Sequence, residues 1–154
     1  MTIEDLEELH NINPVANLES VLKLGILSNA RAAKLPHETV AMAEIQDVRA
    51  TVIIPNTNRA LHTYANLYIN ARNKMMYKRK ELHRDLCVIR VSKDILGLPT
   101  VIISDQNASS KYVRFSNAAV GLLRIDKDQV FASSWTHKGD QIAEWRDQRC
   151  AQRF

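Results

Sequence analysis

The apolar residues of this chain come in short runs. Residues 51–54, 67–69, 86–91 and 100–103 are rich in Ile, Val, Leu and Tyr, and Pro, Asn or Asp bound them. Runs of that length and composition predict β-strands. Segments of helical spacing lie between them. Residues 37–49 place Ala41, Ile45 and Val48 on one stripe and Glu38, Gln46 and Asp47 outside it, which predicts an amphipathic helix. Asn17 is placed to N-cap a short helix with Leu18, Val21 and Leu22 on one face and Gly25 as its stop. Residues 141–149 read as a last helix, with Ile142 and Trp145 on one face. Residues 2–10 carry Ile3, Leu6 and Leu9 at helical spacing, while residues 9–12 read equally well as a first strand. Short helices interleaved unevenly with strands predict an α+β fold rather than a doubly wound sheet.

The chain has 154 residues, 45% hydrophobic and 25% charged, which is ordinary for one globular domain over residues 1–154. No repeat, low-complexity tract or linker interrupts it. A net charge of +4 favours a polyanionic partner. The chain has four glycines and neither G-x-G-x-x-G nor G-x-x-x-x-G-K-[ST], which excludes Rossmann and P-loop nucleotide binding. His10, His37, His62, His83 and His137 form no i, i+4 pair, so no metal is expected. No G-x-S-x-G marks a serine nucleophile. Cys87 and Cys150 lack C-x-x-C spacing and lie among apolar neighbours, as buried thiols of a reducing cytosol would. No apolar run is long enough for a membrane span or signal segment, so a soluble cytoplasmic protein is expected.

Residues 64–80 read Y-A-N-L-Y-I-N-A-R-N-K-M-M-Y-K-R-K. Cations beside aromatic and polarisable side chains suit a nucleic-acid strand, with phosphates on the cations and bases on the rings. The alternative is a turn followed by a solvated basic helix with a Met–Met–Tyr core edge. Arg49 closes an amphipathic helix just before an apolar strand, a position that often faces a cleft. An ordinary helix-terminal cation favoured by the macrodipole explains it equally well.

The order N-L-Y-I-N-A-R-N-K-M-M-Y resembles the F-Y-F-x-P-R-x-P-M-L-Y block of the DarT family. Three further blocks match in order. N-L-E-S-V-L-K-L-G-I-L-S at 17–28 is similar to the family's N-L-x-x-I-L-x-x-G-L-L-S. A-M-A-E-I-Q-D-V-R at 41–49 resembles its I-Q-x-R-R helix. Residues 98–115, with S-D-Q-N-A-S-S-K-Y-V-R-F, resemble its L-P-x-V-x-x-T-D-x-N-A-x-x-x-x-x-R-F loop.

The resemblance implies an ADP-ribosyltransferase-like fold of two small packed mixed sheets with flanking short helices. The implied activity is that of a toxin enzyme that transfers ADP-ribose from NAD to a base of single-stranded DNA, with thymidine the expected target. NAD is the implied donor, and an ADP-ribosylglycohydrolase antitoxin of macrodomain type the implied protein partner. Arg49 falls on the family's catalytic arginine. Asn11, Ile12 and Asn13 fall on its NAD-binding Y-H-I-T segment, with Asn11 in place of the histidine; Ser20 and Ser28 match further positions near NAD. Tyr68, Arg72 and Met75 match the positions that border the DNA cleft, while Ala71 and Lys74 replace the block's two prolines. The family's catalytic glutamate stands in a final C-A-E-V-L-V strand. Here the order is Cys150, Ala151, Gln152, so Gln152 takes the place of the carboxylate, and the family's remaining C-terminal strands and helix are not represented. A glutamine keeps a hydrogen bond but supplies neither charge nor a proton acceptor. A transferase and a catalytically inactive homologue that binds single-stranded nucleic acid or NAD are therefore both open readings.

Overall fold

A computed structural model describes residues 1–136 and 138–142 of the chain. Strand β1 (Glu8–Pro14) runs antiparallel to β4 (Leu86–Ser92), in register from Glu8 opposite Ser92 to Pro14 opposite Leu86. The first-strand reading of residues 9–12 therefore stands, and the helical spacing before it is used only in a 3-10 turn at Ile3–Asp5. Between β1 and β4 come helices α1 (Leu18–Leu24), α2 (Asn29–Ala32) and α3 (Ala43–Ala50), then the hairpin of β2 (Ile53–Ile54) and β3 (Arg59–Ala60) and helix α4 (Lys74–Lys78). A third antiparallel pair joins β5 (Ile102–Ser104) to β6 (Phe115–Asn117), followed by α5 (Ala118–Leu123) and α6 (Lys127–Phe131). The fold is α+β. Its sheets among the described residues are three antiparallel two-stranded ladders. The predicted strand at 67–69 is reduced to one point: Tyr68 N–H donates to the His10 carbonyl at 2.6 Å and His10 N–H to the Tyr68 carbonyl at 2.8 Å. That contact holds residues 64–73 against the free edge of β1.

Local chemistry explains several element ends. Asn73 Oδ1 accepts from Met76 N–H and starts α4; Asn117 and Asp126 do the same for α5 and α6. Gly25 ends α1 at φ 77°, which a side chain would oppose. Asn56 and Asn58 take φ 64° and 52° in the β2–β3 turn, as asparagine tolerates better than most residues. The main core gathers Leu6, Leu9, Ile69, Leu96, Ile103, Leu122, Ile125 and Val130; a smaller one holds Ile54, Leu61 and Ala108. Helix α5 lies so close to β5 that a Cβ on Gly121 would stand 2.4 Å from the Ile103 Cβ.

Three expectations are corrected. The helix expected over residues 37–49 begins only at Ala43, because residues 37–42 run as irregular backbone pinned by other elements. Its stripe does not face a core: Ile45 and Val48 are exposed, and the buried residue of α3 is Arg49. Cys87 is half-buried rather than buried, with its thiol directed to the Asn13 carbonyl at 3.3 Å, while Cys150 lies outside the described residues. The predicted last helix over 141–149 also lies beyond them from residue 143 onward.

Candidate active site

The long β1–β4 ladder fixes β1, and alternation along β1 carries Leu9 into the core while Asn11 and Asn13 follow on the same side. There the strand leaves the core and lines a cleft of about 400 Å³. Residues 37–42 and α3 form one side of it; Tyr68 and α4 line it as well.

Arg49 enters from the last turn of α3, where a cation complements the helix dipole. It is 7% exposed, and its pKa is lowered by burial. Its Nη2 donates to Asn66 Oδ1 at 2.7 Å, and its buried Nε has no partner among the described residues. None of the ion pairs among the described residues involves it. A buried guanidinium balanced, among the described residues, by a neutral amide alone is an anion-seeking group. Tyr68 beside it is half-buried, and burial pushes its phenol up to about 12 against the opposing pull of Arg49. The ring therefore keeps its proton across the physiological range.

A row of amides connects Arg49 to the far side of the cleft. The Asn66 carbonyl accepts from Asn11 Nδ2 at 3.0 Å, and Asn11 Oδ1 accepts from Asn13 Nδ2 at 3.0 Å. Asn13 Oδ1 then accepts from Asn17 Nδ2 at 2.9 Å. Asn17 clamps the Glu38 peptide from both sides, donating to its carbonyl at 2.8 Å and accepting from its N–H at 3.0 Å. That is why Asn17 does not cap α1 with its side chain: its own backbone is already helical, at φ −88° and ψ −6°. From α4, Arg79 Nε reaches the Val40 carbonyl at 2.8 Å and ties down the same segment. Asn66 and Asn17 were not singled out as site residues in the sequence and carry only their place in the matching blocks; Arg79 was read only as one cation of the basic run at 64–80.

Asn11, Ile12, Asn13, Ser20, Arg49, Tyr68 and Met75 thus share one cleft. Two expected residues do not join them. Ser28 is buried with an unpartnered hydroxyl just before α2, outside the lining. Arg72 turns away, donating to the Ser133 carbonyl with its guanidinium 5.4 Å from the Trp135 ring centre. Gln152 lies outside the described residues. Of the loop at 105–115, Asn107 lines the cleft; buried Asp105 ties the loop to itself through Arg114 N–H and, at 2.5 Å, Arg114 Nε. No group of three metal-ligating side chains occurs among the described residues.

The family pattern described as ssDNA thymidine ADP-ribosyltransferase, DarT, matches residues 10–153. This chain belongs to the DarT family. It is 29% identical over 110 residues to a DNA ADP-ribosyl transferase–DNA ADP-ribosyl glycohydrolase fusion protein of Thermosipho africanus, covering 67% of this chain and 28% of that one. A DNA ADP-ribosyl transferase of Thermus aquaticus is 25% identical over 142 residues, covering 84% of this chain and 63% of the relative. The chain therefore spans less than two thirds of either relative. The structure of Thermus sp. 2.9 DarT in complex with ADP-ribosylated ssDNA superposes with a TM-score of 0.81 at 21% identity, over 99% of this chain and 75% of that one. That likeness establishes the DarT fold for the described architecture.

Proposed function

We propose that this DarT domain transfers ADP-ribose from NAD to a base of single-stranded DNA, with thymidine as the target. The observation that carries the reading is Arg49: a buried cation without a carboxylate partner among the described residues, set in a cleft with Asn11, Asn13 and Tyr68. Such a group fits the phosphates or ribose of a dinucleotide. The buried Nε, without a partner among the described residues, supports the fit independently of family membership.

In the reaction, the bond between the nicotinamide nitrogen and the ribose C1′ breaks with positive charge building on the ribose. The new bond forms from C1′ to a ring nitrogen of the base, which gives up its proton, and nicotinamide leaves neutral. Arg49 holds the donor, and the amides of Asn11 and Asn13 orient it from β1. The protonated Tyr68 and Met75 line the path on which a base is presented. A metal has no part in this scheme.

Gln152, in the sequence position of the catalytic glutamate, favours a second reading: a homologue that binds NAD or single-stranded nucleic acid without turnover. The toxin role, a macrodomain-type ADP-ribosylglycohydrolase antitoxin as partner and a cytoplasmic location complete the proposal. The fused glycohydrolase of the Thermosipho relative supports the partner. No helix among the described residues is long and apolar enough to cross a membrane, in keeping with that location. The deciding experiment is mass spectrometry of a thymidine-containing single-stranded oligonucleotide incubated with the protein and NAD. An ADP-ribose adduct establishes the transferase. Binding of NAD or of the strand without an adduct establishes the second reading, and binding of neither refutes both.

A further inference from the structure

The basic run at 74–80 divides in the structure. Lys74 and Lys78, one helical turn apart on α4, both line the cleft. Lys80 does not: its Nζ stands 5.3 Å from the Tyr77 ring centre. Side chains four apart on a helix are neighbours, so the two ammonium groups share one patch of wall. Lys74 is half-buried, and its pKa is lowered by burial and then by the charge of Lys78. Neither ammonium group takes part in an ion pair or hydrogen bond among the described residues, whereas Lys23 pairs with Glu19 and Lys127 with Asp5. A like-charged, partly desolvated pair with no counter-charge gains most from an anion placed between its members.

We infer that Lys74 and Lys78 form a phosphate subsite on the α4 wall of the cleft. It takes a phosphate of the dinucleotide or of the DNA strand, two sources of one chemistry. The assignment rests on the proposed function for its ligands but not for its existence, since both ammonium groups can donate to the oxygens of a single phosphate. Met75, between them in sequence, lines the same cleft and adds an apolar surface beside the charge.

The test uses the full chain and three probes: inorganic pyrophosphate, NAD and a labelled single-stranded thymidine oligonucleotide. Wild type is compared with Lys74→Gln/Lys78→Gln, with Lys74→Arg/Lys78→Arg, and with Lys80→Gln as the control outside the cleft. Pyrophosphate affinity is expected to fall about tenfold or more in the glutamine pair, to persist in the arginine pair and to be unchanged in Lys80→Gln. If the strand supplies the phosphate, the slope of log affinity against log salt becomes shallower by about 0.7 in the glutamine pair. If the dinucleotide supplies it, NAD affinity falls and that slope stays. Equal pyrophosphate affinity in wild type and the glutamine pair, or none in wild type, overturns the subsite. Lysine-dependent pyrophosphate binding in a chain that binds neither NAD nor DNA retains the subsite and overturns the functional reading alone. Should the double variant lose its far-UV circular dichroism, the single variants Lys74→Gln and Lys78→Gln carry the same comparison.

Discussion

A guanidinium taken out of water usually answers a carboxylate, and Arg49 answers an amide. The hydrogen bond to Asn66 offsets only part of its desolvation, so the residue contributes little to folding and keeps its charge for a ligand. Arg49→Ala is expected to change the unfolding free energy by no more than about 1 kcal/mol. NAD binding, by contrast, should fall below detection in calorimetry. A large drop in thermal midpoint with NAD binding intact would make Arg49 a structural residue. Asn66→Ala removes the amide that aims the guanidinium, and a bond to a charged group is worth about 1.5–3 kcal/mol, so NAD affinity should fall by about tenfold or more. A variant with unchanged affinity would show that Arg49 positions itself. His62 offers a pH test at the same scale. Burial, and then the charge of Arg49, lowers its pKa below 6.5, so the unfolded chain takes up a proton at a higher pH than the folded one. The stabilisation is complete above about pH 6.5 and is lost as pH falls from there through the lowered folded value. His62→Gln should flatten the fall in thermal midpoint below that pH; an identical profile would remove His62 as its cause. Arg49 was legible from its place after a helix and its match to the family. Asn66 was not, because a contact across 17 residues leaves no periodic mark in a sequence.

Helices and strands show where pattern reading reaches its limit. The α+β class and three of the strand regions followed from short β-rich runs with turn residues at their ends, because those signals are local. The stripe of Ile45 and Val48 misled, since periodicity reports that a helix has two faces and not which one the fold covers. Here β1 and residues 64–68 leave a cleft beside α3, and the helix turns its cation into it. Asn17 misled for a related reason: an N-cap residue and a side chain that clamps a distant peptide look alike in one dimension. Packing between elements is equally silent in the sequence. At Gly121, alanine would gain about 1 kcal/mol in helix propensity, but its Cβ would stand 2.4 Å from a branched Cβ on β5. Overpacking of that kind costs about 1–3 kcal/mol, so it outweighs the propensity gain. Gly121→Ala is therefore expected to lower the denaturant midpoint, and a midpoint equal to or above wild type would mean that α5 and β5 separate freely.

For the molecule as a whole, what decides function is whether a cationic cleft has a negative group to place beside the reacting ribose. Arg49, Lys74, Lys78 and Arg79 line the cleft, and Glu38 is the carboxylate residue among its described lining. Glu38 is fixed through its backbone to Asn17, on the side of the cleft away from Asn66 along the amide row. That distribution suits binding of phosphates and supplies no further carboxylate among the described lining to meet positive charge developing on a ribose. Breaking the glycosidic bond builds that charge only in the transition state, so a carboxylate near the ribose 2′-OH accelerates the step more than it tightens NAD. An amide at the same position retains a hydrogen bond and loses the charge, a change that costs roughly two to three orders of magnitude in rate. The unaltered chain is therefore expected to bind NAD and to transfer ADP-ribose slowly, at a rate roughly two to three orders of magnitude below that of a chain with a carboxylate at position 152. Gln152→Glu is expected to raise adduct formation by at least about a hundredfold, read by mass spectrometry at saturating NAD. Because the substitution adds charge without adding bulk, NAD affinity should change far less than the rate. Efficient transfer by the unaltered chain would show that another acidic residue does this work, with Glu44, Asp47 and Glu144 the next positions to replace.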